Sequence, residues 1–328
     1  MGFALEGRAT MFDLNNRPGG PNLIVTAKTA HKVHFLDAAT LAMTATIDMP
    51  GSTHEMAMTA DGRTIYATIY GDGIFGKNKN PDRRIAVIDL PSKSLQRTID
   101  LGGTFAPHGI MMDESGTVWS SGELGNSVLA VDPDADRVEA IDVGATAHWV
   151  AVSHKLDKVF ASCKRDHVVV IDRAGRTPVD RIAVPSVTEG LAISPGGETL
   201  YVCSQQRAEF YVIDARTHAL RRTVPIAGSD AGVAQMRRVR VSPDHRYVVV
   251  SCNKDAHAAI YEGEGLKQIA AFPTKQSPMG FGFAADGKHA YLCCHDDAVV
   301  FEFELATGRV VRTFPTAAGC EFILGYSA

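Results

Sequence analysis

The chain has 328 residues, 45 % of them hydrophobic, with 33 Lys and Arg against 37 Asp and Glu for a formal net charge of −4. The basic residues are scattered rather than massed, which excludes a nucleic-acid or polyanion surface, and no apolar run approaches the ~20 residues of a membrane span. The expected partner is therefore a small-molecule substrate, with no nucleic acid and no membrane.

In chain order, residues 1–21 read as an N-terminal extension and residues 22–328 as a single domain. The opening MGFALEGRATMFDLNNRPGG has neither the basic start nor the apolar stretch of a secretory signal, and Gly2 is followed by Glu6 rather than the Ser or Thr of a myristoylation site. A cytoplasmic protein is the expectation. From Asn22 the chain reads NLIVTAKTAHKVHFLDAATLAMTATIDM, three strands of a repeat whose first strand is missing. Complete copies then begin at His54, His108, His148, Glu189, Arg237 and Met279, with steps of 54, 40, 41, 48 and 42 residues. Each copy has an apolar strand, a turn, a second strand ending in small residues and a third ending in Ile-Asp or its equivalent. The missing strand is found at the other end, as CEFILGYSA from Cys320 to Ala328.

A period near 40 residues signals a repeat array or propeller. Joining the last strand to the first blade closes the ring and removes exposed sheet edges. The fold class is thus all-β, a seven-bladed β-propeller whose C-terminal strand completes the N-terminal blade. Asp37, Asp89, Asp132, Asp172 and Asp214 end third strands in register and are expected to form turns by bonding their own backbone. Five of the six cysteines, Cys163, Cys203, Cys252, Cys293 and Cys294, fall in second strands, where a small buried thiol suits the packing. No CxxC spacing suggests a zinc knuckle.

In this architecture the first strand of each blade lines the channel, and equivalent starting residues form one circle at its mouth. That circle is His54, His108, His148, Glu189, Arg237, Met279 and Glu321. The three histidines stand eight residues before one turn slot, occupied by Gly62, Gly116 and Leu156. Three imidazoles followed by a carboxylate suit a divalent transition metal, Zn, Mn or Fe, so His54, His108, His148 and Glu189 are the expected metal ligands. The alternatives are histidines that bind or protonate a substrate directly, or that only line a wet channel. Glu189, if not a ligand, is the carboxylate that orients a ligand histidine or accepts a proton, and Glu321, counted on the far side of the circle, is a partner that supports a ligand or a general base. Arg237 is either a fork for a substrate oxygen or a salt-bridge partner of Glu189.

Sixteen residues further on lies a second circle: Tyr70, Leu124 with Glu123 beside it, Lys164, Gln205, Asn253 and His295, joined by Lys28 of the split blade. Lys28, Tyr70, Lys164 and His295 are the expected substrate contacts, while Trp149 is expected in blade packing. Two expanded loops, YGDGIFGKNKNPDRR and PIAGSDAGVAQM, belong to the same face and suit a lid.

The phrases SPGGETLYV and YVIDARTHALRRTV, with echoes in TADGRTIYAT and AADGKHAYL, resemble the YVTN/YncE-like, lactonase-type seven-bladed propellers over residues 22 to 328. The resemblance implies a pore-face histidine in a PHG-like phrase, matched by Pro107-His108-Gly109 alone. It makes hydrolysis of a lactone or ester the representative reaction of a metal-dependent enzyme. Lyase or isomerase chemistry through a metal-stabilised enolate uses the same parts. A non-catalytic, ligand- or partner-binding YncE-like propeller is the alternative, and a non-haem metal oxygenase a further one.

Overall fold

A computed structural model describes residues 19–103, 105–227 and 235–327. Among these residues the secondary structure is all strand and turn: seven four-stranded antiparallel sheets, arranged as the blades of a propeller. No helix is long and apolar enough to cross a membrane. Blade 1 is the split one. Its strands Asn22–Ala27, Lys32–Asp37 and Met43–Asp48 are completed by Cys320–Tyr326, which pairs antiparallel with Asn22–Ala27.

The innermost strands of blades 2 to 7 are Thr53–Met58, Pro107–Met112, Ala147–Ser153, Thr188–Ile193, Met236–Val241 and Pro278–Phe283. Nearly every position in them is buried, because one face packs on the next blade while the other meets the channel. The outermost strands bury almost nothing beyond one apolar residue each, such as Ile47, Val224 and Phe314. The cores therefore lie between blades: Phe35 and Ile47 of blade 1 pack with Met56, Ile65 and Ile88 of blade 2.

Adjacent inner strands approach closely at three glycines. A Cβ on Gly109 would come 2.8 Å from Trp149 Cα, one on Gly190 would come 2.5 Å from the Arg237 carbonyl oxygen, and one on Gly280 2.5 Å from that of Glu321. Glycine here admits the neighbouring backbone, where any larger residue would push the blades apart.

The expected aspartate turns are present. Asp37 accepts from the backbone N–H of Thr40 at 2.7 Å, Asp89 from Ser92 at 2.8 Å, Asp132 from Ala135 at 3.2 Å, Asp172 from Gly175 at 2.8 Å and Asp214 from Thr217 at 2.8 Å. One turn differs from its expected register. Gly62 and Gly116 take the left-handed conformation at φ 71° and 88°, but in blade 4 Asp157 does so at φ 53°, not Leu156. The inner strand Ala147–Ser153 is one residue longer, and aspartate tolerates positive φ better than leucine. Of the extension expected over 1–21, residues 1–18 lie outside the described residues, as do residues 228–234 of the second expanded loop.

Candidate active site at the channel mouth

Each circle residue sits at a break in the strand ladder. The pairing of inner with second strand shifts register between Thr53 and Met56, Pro107 and Ile110, Ala147 and Trp149, Thr188 and Leu191, Met236 and Arg238, and Pro278 and Phe281. In blade 1 the shift lies between Val25 and Ala27, opposite Glu321. Such bulges re-aim side chains. Here they turn the circle residues toward the axis at one level.

A bulge leaves backbone groups without ladder partners, and buried ones must find others. Hydroxyls of the second strands supply them. Thr68 Oγ1 accepts from the Glu55 N–H at 3.1 Å in its own blade and donates to the His108 carbonyl at 3.0 Å in the next. Ser121 does the same for the Gly109 N–H at 2.8 Å and the His148 carbonyl at 2.7 Å. Thr26 accepts from the Phe322 N–H and donates to the His54 carbonyl; Ser162 and Ser251 donate to those of Glu189 and Met279. Cys203 and Cys293 fill the equivalent place in blades 5 and 7, so the five second-strand cysteines, all buried and free, divide between two registers. Thr68→Val, nearly isosteric, is expected to leave both backbone partners unmet and to cost about 1–3 kcal/mol in urea denaturation at unchanged m-value. A midpoint equal to wild type would show that the bridge carries no stability.

The three histidines form a stack. Ring centroids are 4.1 Å apart for His54 and His108 and 3.9 Å for His108 and His148. Burial, with cationic neighbours, holds the pKa of His54 and of His108 well below the ordinary imidazole value, so both are neutral. His108 Nδ1 and His54 Nδ1 are buried without a hydrogen-bond partner. His148 lies between two carboxylates, with Nδ1 facing Glu123 and Nε2 3.0 Å from Glu189. Tyr70 closes the chain by donating to Glu123 at 2.5 Å, and burial beside that carboxylate pushes its phenol up.

Glu189 also receives Lys164, whose side chain is only 3 % exposed, and Arg237 at 3.2 Å. Burial alone would raise the Glu189 pKa, but Lys164, His148 and Arg237 together hold it well below the usual carboxylate range. Arg237 is thus the salt-bridge partner of Glu189. Glu321 was expected across the circle, yet its Oε1 lies 3.4 Å from His54 Nε2, because the closing strand is the immediate neighbour of blade 2. Its other oxygen lies 3.5 Å from His295 Nε2.

Below the histidines the channel is filled. The Arg238 guanidinium lies 4.5 Å over the Trp149 ring, Arg240 flanks that ring at 5.5 Å, and Arg238 donates to Glu55 at 2.7 Å and Glu321 at 3.3 Å. Trp149 packs in the core of blades 3 and 4, as expected, and also meets these arginines. Burial, opposed by both arginines, raises Glu55 to about 7.

Above the histidines opens a cup of about 480 Å³. His54, His108, His148, Glu189, Arg237 and Glu321 line its base, and Lys28, Tyr70, Lys164 and His295 its wall, as the two circles require. The expanded loop of blade 2 bends over one side, with Phe75 5.2 Å from the Lys164 ammonium and 6.4 Å from the His148 ring. In blade 3 the inward place belongs to Glu123, which is 3 % exposed, and Leu124 points to solvent at 56 %.

The ligand atoms of His108, Glu123 and His148 lie within 4.8 Å of one another, so these three suit a single ion. Neutral imidazole with an unpartnered nitrogen is the correct donor form. Glu189, expected among the ligands, meets Lys164, Arg237 and His148, as His148 itself meets Glu123 and Glu189. His54 adjoins the set through the stack.

No protein-family model matches the chain. Antigen Lp49 of Leptospira interrogans serogroup Icterohaemorrhagiae serovar copenhageni (strain Fiocruz L1-130) is 25 % identical over 277 residues, covering 76 % of this chain and 56 % of the antigen. The chain thus spans little more than half the length of that relative. Among solved structures, the periplasmic gluconolactonase PpgL of Pseudomonas aeruginosa superposes with a TM-score of 0.76 at 17 % identity, over 93 % of this chain and 99 % of that one. Hydrazine synthase of Kuenenia stuttgartiensis gives a TM-score of 0.71 at 17 % identity, over 96 % and 99 %. At such identities the likeness is one of fold, a propeller scaffold that hosts different functions.

Proposed function

We propose that the cup is the active site of an enzyme acting on a small carbonyl compound, with hydrolysis of a lactone or ester, as in the YVTN/YncE-like lactonase-type propellers, the representative reaction. The observation that carries this reading is the buried trio of His108, Glu123 and His148, of which His108 and His148 line the cup, with an orphaned His108 nitrogen. A divalent transition metal bound there would supply a Lewis acid for a carbonyl oxygen.

The chain's own groups then have definite tasks. Tyr70 fixes Glu123, and Glu123 fixes the His148 ring. Glu189 holds the other side of that ring and anchors Lys164 and Arg237 at the wall. Glu321, between His54 and His295, is the carboxylate placed to take a proton from water or substrate. Lyase or isomerase chemistry would use the same carboxylate.

Elemental analysis after dialysis is expected to find about one transition-metal ion per wild-type chain and almost none in folded His108→Ala. A metal-free wild type that still binds ligands in the cup would place the protein among binding propellers instead.

A further inference from the structure

Among the described residues, every lysine and arginine lining the cup has an acidic partner except Lys28. Lys164 and Arg237 meet Glu189, Arg238 meets Glu55 and Glu321, and His295 meets Asp296 at 2.8 Å and Glu321 at 3.5 Å. Lys28 is only 6 % exposed, and its ammonium lies 5.1 Å over the Tyr70 ring with no carboxylate at ion-pair distance among the described residues. An ammonium on a largely buried side chain, without a carboxylate at ion-pair distance, is a ready site for an anion. A cation held over an aromatic face keeps its N–H donors free for one.

The mouth of the same cup carries the opposite chemistry. Ile74 and Phe75 line it yet are 51 % and 41 % exposed, at the tip of the expanded loop. Gly71, Gly73 and Gly76 flank them at φ 99°, 85° and 74°, conformations that hold the tip in a tight turn over the cup. Large apolar side chains so exposed beside a polar site mark a surface for an apolar group.

We infer that the ligand is a small carboxylate carrying a flat apolar substituent, its carboxylate on Lys28 and its apolar part against Phe75 and Ile74. The inference rests on the reading of the cup as a ligand-binding active site. A volume of about 480 Å³ accommodates an arylalkanoate with room for water. Lys28 and Phe75 are then specificity residues, distinct from the groups that act on the reacting carbonyl.

The test is calorimetric titration with three probes: phenylpropionate, its neutral isostere phenylpropanamide, and propionate, which lacks the ring. Metal content is recorded for every sample. Wild type is expected to bind phenylpropionate about tenfold or more tighter than the amide, as befits a charge-assisted contact. Lys28→Gln should abolish that difference and Lys28→Arg retain it. Phe75→Ser should weaken both aromatic probes and leave propionate unchanged, and neither Lys28→Gln nor Phe75→Ser should alter metal content.

Equal binding of acid and amide by wild type, undiminished acid binding by Lys28→Gln, or no saturable binding of phenylpropionate would each overturn the inference. Metal-free protein that keeps the anion preference would overturn the metal centre and leave this inference standing. Metal-loaded protein without the preference would do the reverse.

Discussion

A chain ending at Gly319 is expected not to fold as a monomer. The strand Cys320–Tyr326 is the innermost of blade 1, and its removal uncovers Asn22–Ala27 along one side and Pro278–Phe283 on the channel side. It takes away Phe322, Ile323, Leu324 and Tyr326, none more than 4 % exposed. At about 1.5–3 kcal/mol for each buried side chain, four of them match the whole stability of a typical domain, about 5–15 kcal/mol. The bared edge of Asn22–Ala27 would also present unpaired N–H and C=O groups to other chains.

The truncated protein should therefore elute as aggregate in size-exclusion chromatography with light scattering, and its near-ultraviolet circular dichroism should show no cooperative thermal transition. A peptide of residues 320–328 supplied during refolding should restore some monomer by strand addition. A truncated monomer with a sharp transition would mean that six and three-quarter blades hold together without closure.

The ring itself was legible because its signals are local. Turn glycines and aspartates recur with the repeat, the strands between them are apolar, and the half-repeats at Asn22 and Cys320 complement each other. Counting from the turns also located His54, His108, His148, Glu189, Arg237 and Glu321 at one level, since the count depends only on strand length. Where lengths differ the count slips: the short strand Val118–Gly122 puts Glu123 rather than Leu124 inward.

Glu55 and Arg238, and the approach of Trp149 to the arginines, were hidden for another reason. In a regular strand consecutive residues face opposite ways, so neighbours of circle residues should leave the channel. The bulges suspend that alternation, and both members of each pair reach the axis region. The signal for the bulges lay in the second strands, in the repeated Thr or Ser at Thr26, Thr68, Ser121, Ser162 and Ser251. Small residues at strand ends, these hydroxyls carry no mark in the sequence that they bridge blades. That Glu189 meets both Lys164 and Arg237 depends on side-chain reach across blades, which spacing along a chain does not encode.

Glu189→Gln is expected to be the most damaging single substitution in the cup. The carboxylate meets Lys164, Arg237 and His148, and its side chain is 2 % exposed. The glutamine fits the same space but removes the charge, leaving the nearly buried Lys164 ammonium with its solvation lost and its partner gone. Burial already draws the Lys164 pKa down, with Glu189 as the main opposing influence. Breaking a buried pair from one side typically costs about 3–5 kcal/mol, whereas replacing both partners by well-fitting uncharged groups is often near neutral. The double variant Glu189→Gln with Lys164→Met should therefore be more stable than Glu189→Gln alone, recovering part of the loss while Arg237 keeps its partial exposure to solvent. Urea denaturation of the four proteins in this cycle measures the coupling. Additive losses, with the double variant the least stable, would show that the Lys164–Glu189 contact contributes nothing and that the base of the cup is held by His148 and Arg237 instead.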